Sequence, residues 1–280
     1  MIEIIAHRGL RSTYPENTGI AIQKAIEAKE VTGVEFDVDL SSDNKAVIVH
    51  QETMEPSKSS SKLIKATRNS TSRDWVSNKT EKELTSIDAG SWFNENYKSE
   101  KIPPLSKVLN LNWKNTIAYM EIKDPSFWQV KDPKKPDKIV KILKEELRDF
   151  KGTIKTLSFN PEILKAIQLE FPNIKRLLNY WPEGCGSINE SIQNAVNVNA
   201  EAICVPDPLL VDNPGILNDA HSRGLKLFTY AISPSYDEPE FKNWTAKSRK
   251  NTWDKLLTLG INGIITDFAE EFADYVEKRI

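Results

Sequence analysis

Four residues, SSDN at 41–44, constrain this chain more than any other stretch. They separate two runs with strand character, GVEFDVDL (33–40) and KAVIVH (45–50), rich in the Val, Ile and Phe that pleated surfaces favour. A parallel crossover needs about a dozen residues or more, so these two runs can pair only as an antiparallel hairpin. The other strand-like runs are IEIIAH (2–7), TIAYMEIK (116–123), TIKTLSF (153–159), KRLLNYW (175–181), AICVPD (202–207), KLFTYAI (226–232) and NGIITD (262–267). Long segments separate them, and at 16–28, 138–150, 161–171, 187–198, 209–224 and 252–260 apolar residues recur three or four apart, the spacing of amphipathic helices. Strand-helix alternation implies parallel strands joined by crossover helices. Setting the returning arm of the hairpin aside leaves eight such strands. The fold class is therefore α/β, a (β/α)8 TIM-type barrel. A doubly wound open sheet is the alternative, but no Gly-rich phosphate fingerprint supports it.

Two stretches break the rhythm. Residues 51–103 are polar, with SKSSSK at 57–62, yet carry Trp75, Trp92, Phe93 and Tyr97, which need burial. They read as a small inserted lobe between the second and third barrel strands, within a single domain spanning 1–280. Residues 233–244 read as a long surface loop. The formal charge of -2 and pI near 6.1 lack the basic excess of a nucleic-acid binder. No apolar run approaches the ~18 residues of a membrane span. The N-terminus lacks the basic flank and apolar core of a secretory signal, since Glu3 interrupts it and strand-like sequence starts at once, so a cytoplasmic location is expected. Cys185 and Cys204 form neither a disulfide framework nor a metal spacing. No coiled-coil seam is present, and a monomer or small homo-oligomer is expected.

Side chains alternate along a strand, so Glu35 and Asp37 share one face while Val34, Phe36 and Val38 share the other. With the apolar set against the helices, the carboxylates face the barrel axis near its rim. Two confined acids repel one another unless a cation or basic groups compensate; a plain salt-bridge set with Arg8 and Lys123 is the simplest arrangement. The hairpin brings His50 roughly opposite Glu35, and His7 ends the neighbouring first strand. His221, in DAHSRG, reads as an ordinary surface helix residue. Glu121 and Lys123 in YMEIK add a third carboxylate and a lysine. Carboxylate oxygens suit a hard cation, Ca²⁺ or Mg²⁺, with Mn²⁺ also acceptable. That choice leaves His7 and His50 available as acid and base. Arg8 and Lys123 offer positive charge to an anionic substrate. A cation with Arg, Lys and two histidines is an outfit for attack on a phosphate diester.

The ordered set AHRG, PENT, EFDVDL, a strand ending in His, IDAGSWF, IPPL, MEIK, LSF and GINGIITD resembles the glycerophosphodiester phosphodiesterase family. The resemblance runs from about residue 5 to residue 267. It implies a barrel with a small inserted domain, and hydrolysis of glycerophosphodiesters to glycerol 3-phosphate and an alcohol, with one divalent cation. It implies His7 and His50 as the catalytic pair and Glu35, Asp37 and Glu121 as metal ligands. Arg8 and Lys123 become the phosphate contacts, while Glu16 and Asn17 brace the first loop. Three departures stand out. Gln51 follows His50 where the family has Asp. Phe228-Thr229-Tyr230-Ala231 replaces Trp-Thr-Val-Asn, and Phe268-Ala269 follows ITD where a proline is common. Two further readings compete: a lysophospholipase D-type enzyme using an apolar channel from Trp92, Phe93 and Trp181, and a non-catalytic barrel that binds phosphorylated ligands.

Overall fold

A computed structural model describes residues 2–50, 76–124, 134–231 and 245–279. All nine expected strands form: β1 (Glu3–Ala6), β2 (Gly33–Leu40), β3 (Ala46–Ile48), β4 (Ile117–Ile122), β5 (Thr153–Ser158), β6 (Lys175–Asn179), β7 (Ala202–Pro206), β8 (Lys226–Ala231) and β9 (Gly263–Thr266). Eight of them pair in parallel around a closed ring, each with its successor, and β9 returns to β1 through Ile5 opposite Ile265. The remaining strand, β3, is the antiparallel hairpin arm, with Val38 opposite Ile48. β1 reaches only Gly33 and Val34 of β2, so β3 occupies the edge of β2 beyond the point where β1 stops. The fold is a (β/α)8 barrel with one extra strand.

Ten α-helices are described: α1 (Gly19–Glu27), α2 (Glu81–Leu84), α3 (Leu105–Leu109), α4 (Lys135–Glu146), α5 (Pro161–Glu170), α6 (Ile188–Asn197), α7 (Asp207–Asp212), α8 (Gly215–Ser222), α9 (Ala246–Leu259) and α10 (Ala269–Glu277). Their ends follow local chemistry. The Thr18 side chain accepts from the Ala21 amide to cap α1, and Asn160 caps α5 ahead of Pro161. Ser187 and Glu190 form a reciprocal capping box on α6. The helix expected over 209–224 is two helices. Pro214 has no amide hydrogen to continue α7 and drives Asn213 out of the helical region, so the chain stops and restarts.

The alternation of the strands divides the core in two. Outward side chains such as Val34, Phe36, Val38 and Ile264 pack against Ile22, Ile139, Leu164 and Trp253 of the helices. Inward ones, among them Ile5, Tyr119, Leu157, Leu177, Cys204 and Phe228, fill the barrel itself. Each such buried apolar side chain contributes about 1.5–3 kcal/mol. β2 and β9 begin with Gly33 and Gly263, and the Tyr119 and Phe228 rings occupy the space a Cβ there would need. Below those rings a charged floor closes the N-terminal end. Lys155 Nζ lies 2.9 Å from Glu3 and 3.3 Å from Glu201, Lys226 pairs with Glu201 at 2.5 Å, and the Tyr119 hydroxyl donates to Glu3.

Of the expected lobe, residues 51–75 lie outside the described residues, and so do Gln51, Trp75 and the expected loop at 233–244. The described part builds a small cluster of its own, Val76, Leu84, Ala89 and Ile102 packing on Val47 and Val49 of the hairpin arm. Trp92, Phe93 and Tyr97 form an edge-to-face chain that meets Tyr14 in the first loop at 5.9 Å. No helix among the described residues is long and apolar enough to cross a membrane.

Candidate active site

The site begins at the corner where β1 ends. The His7 amide donates to Thr266 of β9, and the Gly9 amide donates to Glu35 of β2, so the corner is stitched to both neighbouring strands. Arg8 and Gly9 both take positive φ, 54° and 81°, which turns the chain sharply and leaves the His7 and Arg8 side chains buried among the acids. Asn17 closes the loop: its amide donates to Arg8 O, and its side chain both donates to Asp37 Oδ2 at 2.8 Å and accepts from the Asp37 amide.

Strand alternation carries Glu35 and Asp37 inward, both almost wholly buried. Parallel pairing sets Asp37 directly opposite Glu121 of β4. Oxygens of Glu35, Asp37 and Glu121 lie within 4.8 Å of one another, an arrangement that could hold a metal ion. Lys123 Nζ sits 2.5 Å from Glu121 and 3.3 Å from Asp37, and Asn179 of β6 donates to the other Glu121 oxygen at 3.2 Å. Arg8 pairs with Asp37 through Nε at 3.0 Å and with Glu16 through Nη1 at 2.8 Å. The two expected phosphate contacts thus also balance acid charge.

These pairings sort the carboxyl groups. Burial pushes Asp37 up, but Lys123 and Arg8 outweigh it and hold it well below the usual carboxylate range. Glu35 goes the other way, pushed well above its ordinary value by burial and then by the charges of Asp37 and Glu121. Burial likewise raises Glu121, with Lys123 opposing. One oxygen of Glu35 accepts from the Arg8 amide at 2.9 Å. The other, Oε1, is buried without a hydrogen-bond partner among the described residues.

His7 Nδ1 lies 2.7 Å from Asp267 Oδ1 at the end of β9, and its Nε2 lies 3.9 Å from Glu35. A carboxylate only accepts, so the ring proton sits on Nδ1 and the Nε2 lone pair faces the acid cluster. Burial first, then Arg8, hold His7 below the ordinary imidazole value, with Asp267 pulling upward. His50 differs from expectation in register. A continued ladder would pair it with Phe36 rather than Glu35 and turn it outward. The strand ends at Ile48 instead, and the ring lies within electrostatic reach of Arg8, Lys123, Asp37 and His7. Burial, then Arg8 and Lys123, hold it well below the ordinary value. His221 is exposed on α8, 3.2 Å from the Asn262 side chain, away from this cluster.

The seven expected side chains therefore occupy one end of the barrel. Sequence reading passed over Asp267, Arg11 and Asn179. Asp267 was within reach, because the last strand of a closed barrel must lie beside the first.

An eight-stranded parallel barrel with acids, imidazoles and fixed cations gathered at its C-terminal rim defines a barrel enzyme. The chain belongs to the glycerophosphoryl diester phosphodiesterase family, which matches residues 7–271. It is 28% identical over 277 residues to a glycerophosphodiester phosphodiesterase of Caldanaerobacter subterraneus subsp. tengcongensis, covering 98% of each protein. It is 23% identical over 280 residues to the Bacillus subtilis enzyme of the same name, covering 96% of this chain and 84% of that one. Among solved structures, a phosphodiesterase of Oleispira antarctica, in complex with the product sn-glycerol-3-phosphate, superposes with a TM-score of 0.74. That match is 19% identical and covers 98% of this chain and 96% of the other. The glycerophosphodiester phosphodiesterase of Thermotoga maritima superposes with a TM-score of 0.64 at 23% identity, covering 100% and 99%.

Proposed function

We propose that this chain hydrolyses glycerophosphodiesters to glycerol 3-phosphate and an alcohol, with one divalent cation, Ca²⁺ or Mg²⁺, held by Glu35, Asp37 and Glu121. The observation that carries the reading is Glu35 Oε1, a buried carboxylate oxygen with no hydrogen-bond partner among the described residues, set among three converging acids. Leaving such an oxygen unsatisfied costs about 1–3 kcal/mol or more, and a cation removes that cost. Charge supports the same conclusion. Glu16, Glu35, Asp37, Glu121 and Asp267 face Arg8, Arg11 and Lys123, a surplus of two negative charges that a divalent ion would balance. The all-oxygen donor set suits Ca²⁺, Mg²⁺ or Mn²⁺. When bound, such an ion supplies positive charge against the charge that develops on the phosphoryl oxygens.

The side chains divide the remaining work. Arg8 and Lys123 contact the phosphate. His7 Nε2 takes the proton of the attacking hydroxyl, and Asp267 stabilises the imidazolium that results. His50 gives its proton to the alcohol oxygen as the P–O bond breaks; burial, then Arg8 and Lys123, disfavour the charged ring, and the anionic substrate offsets those two cations. We take residues 51–103 as a small lobe inserted within the single barrel domain, its described part packing on Val47 and Val49 of the hairpin arm. Both cysteines are free thiols, which fits work in the reducing cytoplasm. A lysophospholipid substrate is the second reading, favoured by the half-buried chain Tyr14, Tyr97, Phe93 and Trp92.

The test is a coupled assay for glycerol 3-phosphate release from glycerophosphocholine and glycerophosphoethanolamine. It is run after EDTA treatment, with Ca²⁺, Mg²⁺ and Mn²⁺ restored separately. Release that returns with a metal and falls about 10²–10⁴-fold in His7→Ala and His50→Ala supports the reading. No glycerol 3-phosphate with any metal refutes it, and choline or ethanolamine freed instead from lysophospholipids would establish the second reading.

A further inference from the structure

The mechanism above uses His7, but nothing in β1 or its corner fixes the plane of that ring. Its partner Asp267 sits in a larger buried arrangement. Arg11 Nη1 donates to Asp267 Oδ1 and Oδ2, both at 3.1 Å, and Arg11 Nη2 lies 2.9 Å from Glu16 Oε2. The other Glu16 oxygen takes Arg8, which continues to Asp37. Charges therefore alternate without a gap along Asp267, Arg11, Glu16, Arg8, Asp37, Lys123 and Glu121. One end of this chain holds the imidazole, and the other end is the acid cluster.

Resting on the phosphodiesterase reading, we infer that Arg11 is a positioning residue: it fixes the His7 ring through Asp267 and ties that ring, through Glu16, to the arginine that meets the phosphate. Four features support this over a purely structural role. The guanidinium is only 6% exposed, and desolvating a cation costs several kcal/mol that an apolar side chain in the same place would not incur. The acids it pairs with, Asp267 and Glu16, in turn touch His7 and Arg8, both assigned to the reaction. Its planar guanidinium spans two carboxylates at a fixed spacing, Nη1 on both oxygens of Asp267 and Nη2 on Glu16, and a lysine, with one nitrogen, could not hold both acids in that geometry. The 3.5 Å approach of Arg11 Nη1 to His7 Nδ1 places two donors on the same side of one acceptor oxygen, which sets the ring angle as well as its proton. Partners of this kind, one step removed from the reacting groups, are typically worth about 10- to 100-fold in activity.

The experiment compares the full-length protein with Arg11→Met and Arg11→Lys. The sequence has only three histidines, His7, His50 and His221, so ¹⁵N NMR of the imidazoles resolves His7 directly. The wild type should show hydrogen on Nδ1 and a bare Nε2. Arg11→Met should show a mixture of the two tautomers and a kcat lowered about 10- to 100-fold, with KM for glycerophosphocholine within about twofold. Arg11→Lys, which keeps the charge and therefore the better chance of folding, should fall between them in both readouts. A folded variant of either kind with wild-type tautomer and wild-type kcat, differing only in thermal stability, would overturn the assignment. If the wild type itself releases no glycerol 3-phosphate, it is the phosphodiesterase reading that fails, and the His7 spectrum still decides whether Arg11 holds the ring.

Discussion

Replacing Gly9 with alanine should damage both the fold and the site, and the structure allows the two costs to be separated. A Cβ at residue 9 would lie 2.5 Å from Ala21 C, 2.7 Å from Ala21 O and 2.8 Å from Ile22 N. All three are backbone atoms of α1, so no side chain can swing aside. The residue also has φ of +81°, where a side chain costs about 1–2 kcal/mol. Relieving the overlap means pushing the corner away from α1, an overpacking cost of about 1–3 kcal/mol. It also stretches the bond from the Leu10 amide to Ala21 O, worth about 1 kcal/mol. The total is about 3–6 kcal/mol. Gly224 supplies the control, with φ of +78° and nothing within 4 Å of its Cβ position, at the far end of the barrel. Gly224→Ala should lose only the conformational part, about 1–2 kcal/mol. Urea unfolding reads both losses. Turnover reads the displacement of His7 and Arg8, where a shift of about 1 Å costs on the order of 10²-fold. Equal stability losses at the two glycines, or a Gly9→Ala enzyme with normal turnover, would refute the packing argument.

Two further outcomes test other parts of the molecule. Glu121→Gln should weaken divalent-metal binding while the circular dichroism spectrum stays native; unchanged affinity by calorimetry would remove Glu121 from the ligand set. Burial pushes the Asp207 carboxyl from 3.8 up to about 7, so the fold holds a proton there that the unfolded chain releases. Stability from this group is full below about pH 4 and is lost as pH rises towards 7, by up to about 4 kcal/mol. The stability of the wild type minus that of Asp207→Asn should therefore fall between pH 5 and pH 7.5, and a flat difference would contradict the burial of that carboxyl.

How much of this was legible beforehand depended on whether a signal was local. Strand runs and the four-residue link are local, so all nine strands and the closed barrel followed from them. Inward placement of Glu35, Asp37, Glu121 and Lys123 followed from a period of two. The break at Asn213-Pro214 was present as a proline but was overridden by an apolar spacing that runs through it. The level of His50 was misjudged by one residue because a hairpin's register depends on where pairing stops, here at Ile48. Arg11 left no pattern at all: it stands in a loop without periodicity, and its partner Asp267 is 256 residues away. Only ring closure makes them neighbours. Lys155 and Glu3 likewise lie 152 residues apart and carry no pattern in the sequence, and closure alone places them beneath the aromatic layer.

That charged floor has a consequence for traffic. Tyr119, Phe228 and the ions of Glu3, Lys155, Glu201 and Lys226 stopper the barrel like the base of a flask. In the proposed reaction the closed base leaves only the opposite end of the barrel for diester and water to enter and for both products to leave. Loops around that end can be rebuilt for new substrates without disturbing the vessel beneath them.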